Sequence, residues 1–285
     1  MNLTYILPLR PVPRNVLRRP GHGAAMAPRR RAREPGTALP LAGRAALVTG
    51  GSRRLGKVIA LALARDGADV AITYRRRVRD AEAVVRSIER LGTKSHAIRA
   101  DLTRPADCRR AVDTAARRLG RLDILVNNVG EWIVKPVEAT SLEDWREVID
   151  SNLTATYLCS KAAVPWMRRN RWGRIVSLGA AGAYRAHGTA KMASFYAAKA
   201  GIVAFSKSLA REVGSDGITV NVVSPGVIKD PEISPSLARR RKDPDNAVRR
   251  VGTGADVAAA VRFLVSDEAG FITGDVIGVT GGWLL

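Results

Sequence analysis

Short apolar runs alternate with helix-forming stretches along most of this chain, and that alternation limits its fold more than any other feature. The runs fall at 45–48, 69–74, 95–99, 122–126, 174–178, 218–223 and 276–279. Helical patterns occupy 58–65, 80–91, 106–119, 142–169, 195–213 and 256–266. Most runs are apolar throughout rather than alternating apolar with polar, so they need cover on both faces. Strands of that kind separated by helices build a parallel sheet with helices on both faces. The expected fold is α/β, a single-domain Rossmann-like doubly wound sheet. Such a sheet binds ligand at the carboxyl ends of its strands, near the point where strand order reverses.

Charge narrows the partners. The 285 residues carry 47 Lys and Arg against 26 Asp and Glu, a net +21. Residues 1–43 hold eight Arg and a single acid, Glu34, with frequent Pro and Gly and no helical period. They read as a basic, disordered N-terminal extension, leaving +14 for a domain over 44–285. A hydrophobic fraction of 46% excludes a wholly disordered chain. No apolar run approaches the roughly 18 residues of a membrane-spanning helix, so no membrane partner is expected. Aromatics are only 5% and no nucleic-acid module is recognisable, so no nucleic-acid partner is expected either. Cys108 and Cys159 are too few for a disulfide framework and lack metal-ligand spacing. They suit a reducing cytoplasm, and no metal is expected.

The first strand runs into Thr49-Gly50-Gly51-Ser52-Arg53-Arg54-Leu55-Gly56 and then a helix. Gly50 permits a tight turn, Gly56 permits close helix–strand packing, and the N–H groups opening the helix face an anionic pyrophosphate. The second strand ends in Tyr74-Arg75-Arg76-Arg77. A carboxylate there would receive the ribose hydroxyls of NAD, whereas guanidiniums attract a 2′-phosphate. Arg54 adds a cation in the turn, and NADPH is the expected cofactor.

Further motifs follow in order. Asp101-Leu102 comes after the third strand, Asn127-Asn128-Val129-Gly130 after the fourth, Asn152 within the long helix, Lys199 in Tyr196-Ala197-Ala198-Lys199, and Pro225-Gly226 after the sixth strand. Ile272-Thr273-Gly274 and Val279-Thr280-Gly281-Gly282 close the chain. From about Arg44 to Trp283 the chain resembles the short-chain dehydrogenase/reductase family. It is most similar to pteridine-reductase-like and 3-oxoacyl carrier-protein reductase-like members, in which an Arg at the position of Arg54 neighbours the 2′-phosphate. The resemblance implies a cofactor site of Gly50, Ser52, Arg53, Arg54, Leu55, Arg75, Arg76, Asp101, Leu102, Asn128, Gly130, Lys199, Pro225, Gly226 and Val227. Asp101 and Leu102 would flank adenine, Asn128 to Gly130 the ribose and nicotinamide side, and Pro225 to Val227 the carboxamide. Residues 229–250 would form a substrate lid.

The catalytic positions depart from that pattern. The family places a Tyr four residues before the Lys, on one helix face, where the ammonium lowers the phenol's pKa. Here Lys199 is preceded at that spacing by Phe195, and Tyr196 lies three residues before it. Aligned on the preceding strand, the family's Ser position falls on Ala180; counted back from Phe195 it falls near Gly182, and neither residue carries a hydroxyl. Either Tyr196 takes over proton donation through a shift at the helix entrance, or it packs against a neighbouring helix. Tyr184 and His187 in the preceding loop are the other candidate acids, and Glu131 and Trp132 are candidate substrate contacts. Asn152 would hold a water in a proton relay from Lys199. The resulting expectation is an NADPH-dependent oxidoreductase with an atypical proton donor. Its small-molecule substrate would be a ketone, a 3-oxoacyl thioester on carrier protein or CoA, or a C=N compound. The alternative is a redox-inactive member acting as a cyclase, an isomerase or a dinucleotide-binding regulatory protein. The long helices 142–169 and 195–213 are candidate interfaces of a homodimer or homotetramer.

Overall fold

All seven apolar runs pair into one parallel sheet in the computed structural model, which describes residues 39–283. The chain alternates β1 (Ala45–Val48), α1 (Arg54–Arg65), β2 (Asp69–Tyr74), α2 (Val78–Glu89), β3 (Ser95–Arg99), α3 (Pro105–Leu119) and β4 (Ile124–Asn127). It continues through α4 (Leu142–Ile149), α5 (Ala155–Asn170), β5 (Gly173–Leu178), α6 (Ala193–Val213), β6 (Ile218–Pro225), α7 (Pro235–Arg240), α8 (Gly254–Leu264) and β7 (Val276–Val279). Strand order is β3-β2-β1-β4-β5-β6-β7. The order reverses between β1 and β4, where Val48 pairs with Ile72 on one side and Val126 on the other. The carboxyl ends of those two strands therefore open a crevice. The basic extension expected over 1–43 lies, up to residue 38, outside the described residues.

Successive strand residues face opposite ways, so the sheet feeds two apolar layers. Leu47, Leu125 and Ile175 pack with α3 and α5 on one face. Ala46, Val48, Ile72 and Val126 pack with α1 and α8 on the other. Burying a side chain of this size contributes about 2 kcal/mol, which is why apolar strands survive here without a polar face.

The expected single helix over 142–169 is interrupted by a π-helical turn at Asp150–Thr154. Three polar side chains claim backbone carbonyls within this stretch. Ser151 Oγ donates to Glu147 O at 2.6 Å, Asn152 Nδ2 to Val148 O at 2.9 Å, and Thr156 Oγ1 to Asn152 O at 2.7 Å. Such competition for helix carbonyls accompanies a widened turn, and widened turns recur at functional sites. α8 opens two residues before its expected start. There Thr253 and Asp256 form a reciprocal capping box.

Candidate active site

The strand-to-helix turn after β1 is shaped by close approach. Gly50 sits at φ +63°, donates from its backbone N to Thr73 Oγ1 at 2.9 Å, and would place a Cβ 2.9 Å from Val129 Cγ2. A Cβ on Gly56 would meet Gly50 O and lie 2.6 Å from Asn128 Nδ2. Arg54 also adopts positive φ, at 50°. This explains why glycine suits the position, and an L-residue held there costs about 1 kcal/mol.

Seven predicted residues line one cavity of about 400 Å³, namely Gly50, Ser52, Arg53, Arg75, Arg76, Asp101 and Leu102. Arg77, Val129 and Glu131 are among the other residues of its wall. Burial would raise the Asp101 carboxyl, but hydrogen bonds from Thr103 and the nearby guanidiniums of Arg75 and Arg104 outweigh it and hold the group below its ordinary value. An adjoining groove adds Arg99, Arg104 and Arg110 beside Arg75 and Arg76. Asp107 organises this edge by accepting from Asp101 N at 2.8 Å and from Arg110 at 2.8 Å. Nothing in the sequence pointed to these three arginines, because Arg99 ends β3, Arg104 caps α3 and Arg110 lies on it, outside any motif. The donor set, guanidiniums beside a helix N-terminus, fits a phosphorylated dinucleotide. Where β-carbons would collide, the turn carries glycine.

Asn128 does something the motif did not specify. Its backbone N donates to Thr49 Oγ1 and its Nδ2 to Thr49 O, both at 2.8 Å, so its side chain staples β4 to the turn. Gly130 lies against Asn152, where a Cβ would collide with Oδ1. Asn152 Nδ2 also donates to Glu131 O at 2.8 Å, while its buried Oδ1 has no protein partner. Leu55 packs onto the apolar layer beneath the turn rather than lining the cavity.

A second cavity of about 300 Å³ lies under the segment expected as a lid. Gly226, Val227 and Lys229 line one side, and Asp243, Asn246 and Arg250 line another. Pro225 ends β6 immediately before Gly226. The lid segment carries α7 and returns through a bridge between Lys242 and Arg250. Arg250 grips Asp256 at 2.7 and 2.8 Å, and with the Thr253 hydrogen bonds this holds the Asp256 carboxyl down at about 2.

Lys199 is 6% exposed, and burial lowers its ammonium to about 8. Its Nζ donates to Leu178 O at 2.7 Å and lies 5.5 Å from the Phe195 ring centroid. Residue 195 thus occupies the place beside the ammonium. α6 is regular here, with Tyr196 N bonded to Met192 O at 3.0 Å. The half-buried Tyr196 ring packs edge-on against Phe195 and His187, with centroids 5.7 and 5.9 Å away. Ala180 is buried and offers no hydroxyl. The sequence reading missed Ser224, whose buried Oγ has no protein partner and lies 2.5 Å from where a Cβ on Gly179 would stand. Trp132 is exposed at 64%. Among the described residues, no cluster of three or more His, Cys, Asp or Glu could hold a metal ion.

Comparison with known proteins agrees with this geometry. Residues 50–284 match the family model described as enoyl-(acyl carrier protein) reductase. The 3-oxoacyl-(acyl-carrier-protein) reductase FabG of Staphylococcus aureus is 38% identical over 242 residues, covering 84% of this chain and 97% of the relative. That of Salmonella typhimurium is 37% identical over 248 residues, with coverage of 84% and 97%. Among solved structures, a short chain dehydrogenase from Burkholderia cenocepacia in complex with NADP is 40% identical with a TM-score of 0.77, covering 85% of this chain and 98% of that one. A blue fluorescent protein from a metagenomic library, in complex with NADPH, is 34% identical with a TM-score of 0.77 and coverage of 86% and 100%. The chain belongs to the short-chain dehydrogenase/reductase family.

Proposed function

We propose that the chain is an NADPH-dependent reductase acting on the carbonyl of a 3-oxoacyl thioester, or on a related ketone or C=N group. One observation carries this reading. Arg53, Arg75 and Arg76 converge on the cavity beside the α1 N-terminus, an arrangement that favours a 2′-phosphate over bare ribose hydroxyls. The reductase names of the relatives and the NADP and NADPH of the solved neighbours support it.

Bound NADPH supplies the hydride. Gly50, Ser52, Arg53, Arg54, Arg75 and Arg76 hold its phosphates, Asp101 and Leu102 its adenine, and Pro225 to Val227 its carboxamide end. Gly130 leaves room for the Asn152 amide, with which a Cβ there would collide. Lys199 offers a desolvated ammonium to the ribose. Asn152 Oδ1, buried without a protein partner, accepts from a water in the relay that resupplies protons. With Phe195 in the phenol's place, Tyr196 beside His187 is the proton donor. Residues 229–250 would cover the cofactor's reacting end and exclude water there.

A domain over 44–285 performs this chemistry, with 1–43 as an accessory extension. The substrate is borne on acyl carrier protein or CoA, and the free thiols Cys108 and Cys159 suit a cytoplasmic protein. No helix among the described residues is long and apolar enough to cross a membrane. Exposed Tyr157 on α5, edge-packed on Phe205 of α6 at 5.9 Å, supports pairing of those helices in a homodimer or homotetramer.

Phe195 and Ala180 favour one rival reading, a redox-inactive member that binds the dinucleotide as a cyclase, isomerase or regulator. Loss of NADPH absorbance in the presence of 3-oxoacyl thioesters, ketones and imines decides between them. Turnover that falls in Tyr196→Phe supports the reductase. Tight NADPH binding with no turnover on any of the three classes supports the rival.

A further inference from the structure

The two cavities are walled by different parts of the chain. Ser52 and Arg53 of the first turn line one, and Val227 to Lys229, where the lid begins, line the other. A dinucleotide spanning both must set its diphosphate between them, at the start of α1. A lid side chain already makes contact there. Glu232 accepts from Arg54 N at 3.1 Å and from Lys57 Nζ at 2.6 Å. Its neighbours Pro231 and Ile233 are buried, and Pro231 O accepts from Gly254 N at 2.9 Å, so the lid backbone is pinned on both sides of an exposed Glu232. Releasing this carboxylate therefore requires a side-chain swing and no unfolding of the lid. A carboxylate and a diphosphate compete for the single Arg54 N–H and lie as like charges beside the same Lys57 ammonium, so each weakens the other's hold.

We propose that Glu232 is a built-in stand-in for the cofactor diphosphate, and that Lys57 passes from Glu232 to the diphosphate when NADPH binds. Lys57 is then a cofactor-binding residue, and Glu232 sets both the affinity and the closure of the lid root. This rests on the NADPH reading above. Before binding, the Lys57–Glu232 pair ties the lid root to α1. Afterwards the diphosphate bridges the same two segments, and Glu232 turns to solvent.

The test is a fluorescence titration of the full chain with NADPH, and in parallel with 2′-AMP, which carries the 2′-phosphate but no diphosphate. Removing the competing charge in Glu232→Gln tightens NADPH about two- to fivefold, the range of one exposed ion pair, and leaves 2′-AMP unchanged. Glu232→Ala, which also removes the acceptor on Arg54 N, tightens NADPH at least as much. Lys57→Met weakens NADPH in the wild type and again in the Glu232→Gln background, because its target there is the diphosphate. Both residues lie at the surface, and thermal unfolding of each variant verifies its fold. Unchanged or weaker NADPH binding in both Glu232 variants overturns the exchange. So does a Lys57→Met that is harmless once Glu232 is neutralised. If wild type binds NADPH while the variants behave in this way, the cofactor reading stands and only the exchange fails. If neither wild type nor variants bind NADPH, both fall.

Discussion

Phe195→Tyr puts a phenol on the ring that now faces the Lys199 ammonium, and the structure sets the size of the effect. The ring centroid is 5.5 Å from Nζ. At that separation and an effective dielectric constant of about 20, a unit charge stabilises a phenolate by about 3 kcal/mol. That energy moves a phenol from about 10 to about 8, the range in which a general acid works near neutral pH. Because Tyr196 already donates the proton in the proposed site, an acid held at position 195 raises carbonyl reduction by less than the about 10²- to 10⁴-fold that a general acid adds to a site lacking one. Partial burial of residue 195 opposes the shift, and Lys199, itself at about 8, loses its charge over the same range. The phenol and the ammonium therefore titrate as a coupled pair, with the phenol's step still below its ordinary value of about 10. The assay pairs tyrosinate absorbance against pH with NADPH oxidation on a 3-oxoacyl thioester. The variant should show one phenol titrating well below the other tyrosines, together with faster turnover. A new phenol that titrates at about 10 with no gain in rate refutes the account, because the ammonium would then not be acting on position 195.

Lys199 makes a separate prediction about stability. Its folded ammonium at about 8 lies below its ordinary 10.5, so the folded state releases a proton that the unfolded state still binds. Below pH 8 both states are charged and the burial penalty, about 3 kcal/mol, is fully present. Between pH 8 and 10.5 the penalty fades, and stability from this group rises with pH. Urea unfolding of wild type and Lys199→Met across that range should show their difference shrinking as pH rises, and a constant difference argues against it. Asp256 behaves oppositely. Its folded carboxyl at about 2 lies below the ordinary 3.8, so its contribution is present above pH 3.8 and lost as pH falls toward 2. Asp256→Asn should cost about 1–2 kcal/mol at pH 7 after allowance for solvent screening. Thermal unfolding at pH 7 measures that cost, which should vanish near pH 2.

Much of the fold was legible because it rests on local periodicity. β1, β2, β3 and β7 fall at the expected residues, since an apolar run between polar turns has few other places to go. β4 ends one residue later than expected, at Asn127, where its side chain reaches Ser160 and Ser177 at 3.2 and 3.3 Å across buried space. The helix expected over 142–169 was right in extent and wrong in regularity. A π turn depends on which carbonyls Ser151, Asn152 and Thr156 find, and helical period carries no record of that.

At the site, the amino-acid order by itself determined the turn glycines, the arginines closing β2, Lys199, Phe195 four residues before it and Ala180 two residues after β5. Each is a residue type at a fixed spacing from its own element, and covalent geometry carries spacing faithfully. Only the tertiary structure decided their partners. It set Arg99, Arg104 and Arg110 beside Arg75 and turned the Asn128 amide onto Thr49. It also brought Glu232 to Arg54 across 178 residues. Such contacts follow from sheet register and strand order, which bring distant carboxyl ends to one edge. A charge on an exposed loop has no sequence period that names its partner, so its meaning appears only when the sheet is assembled.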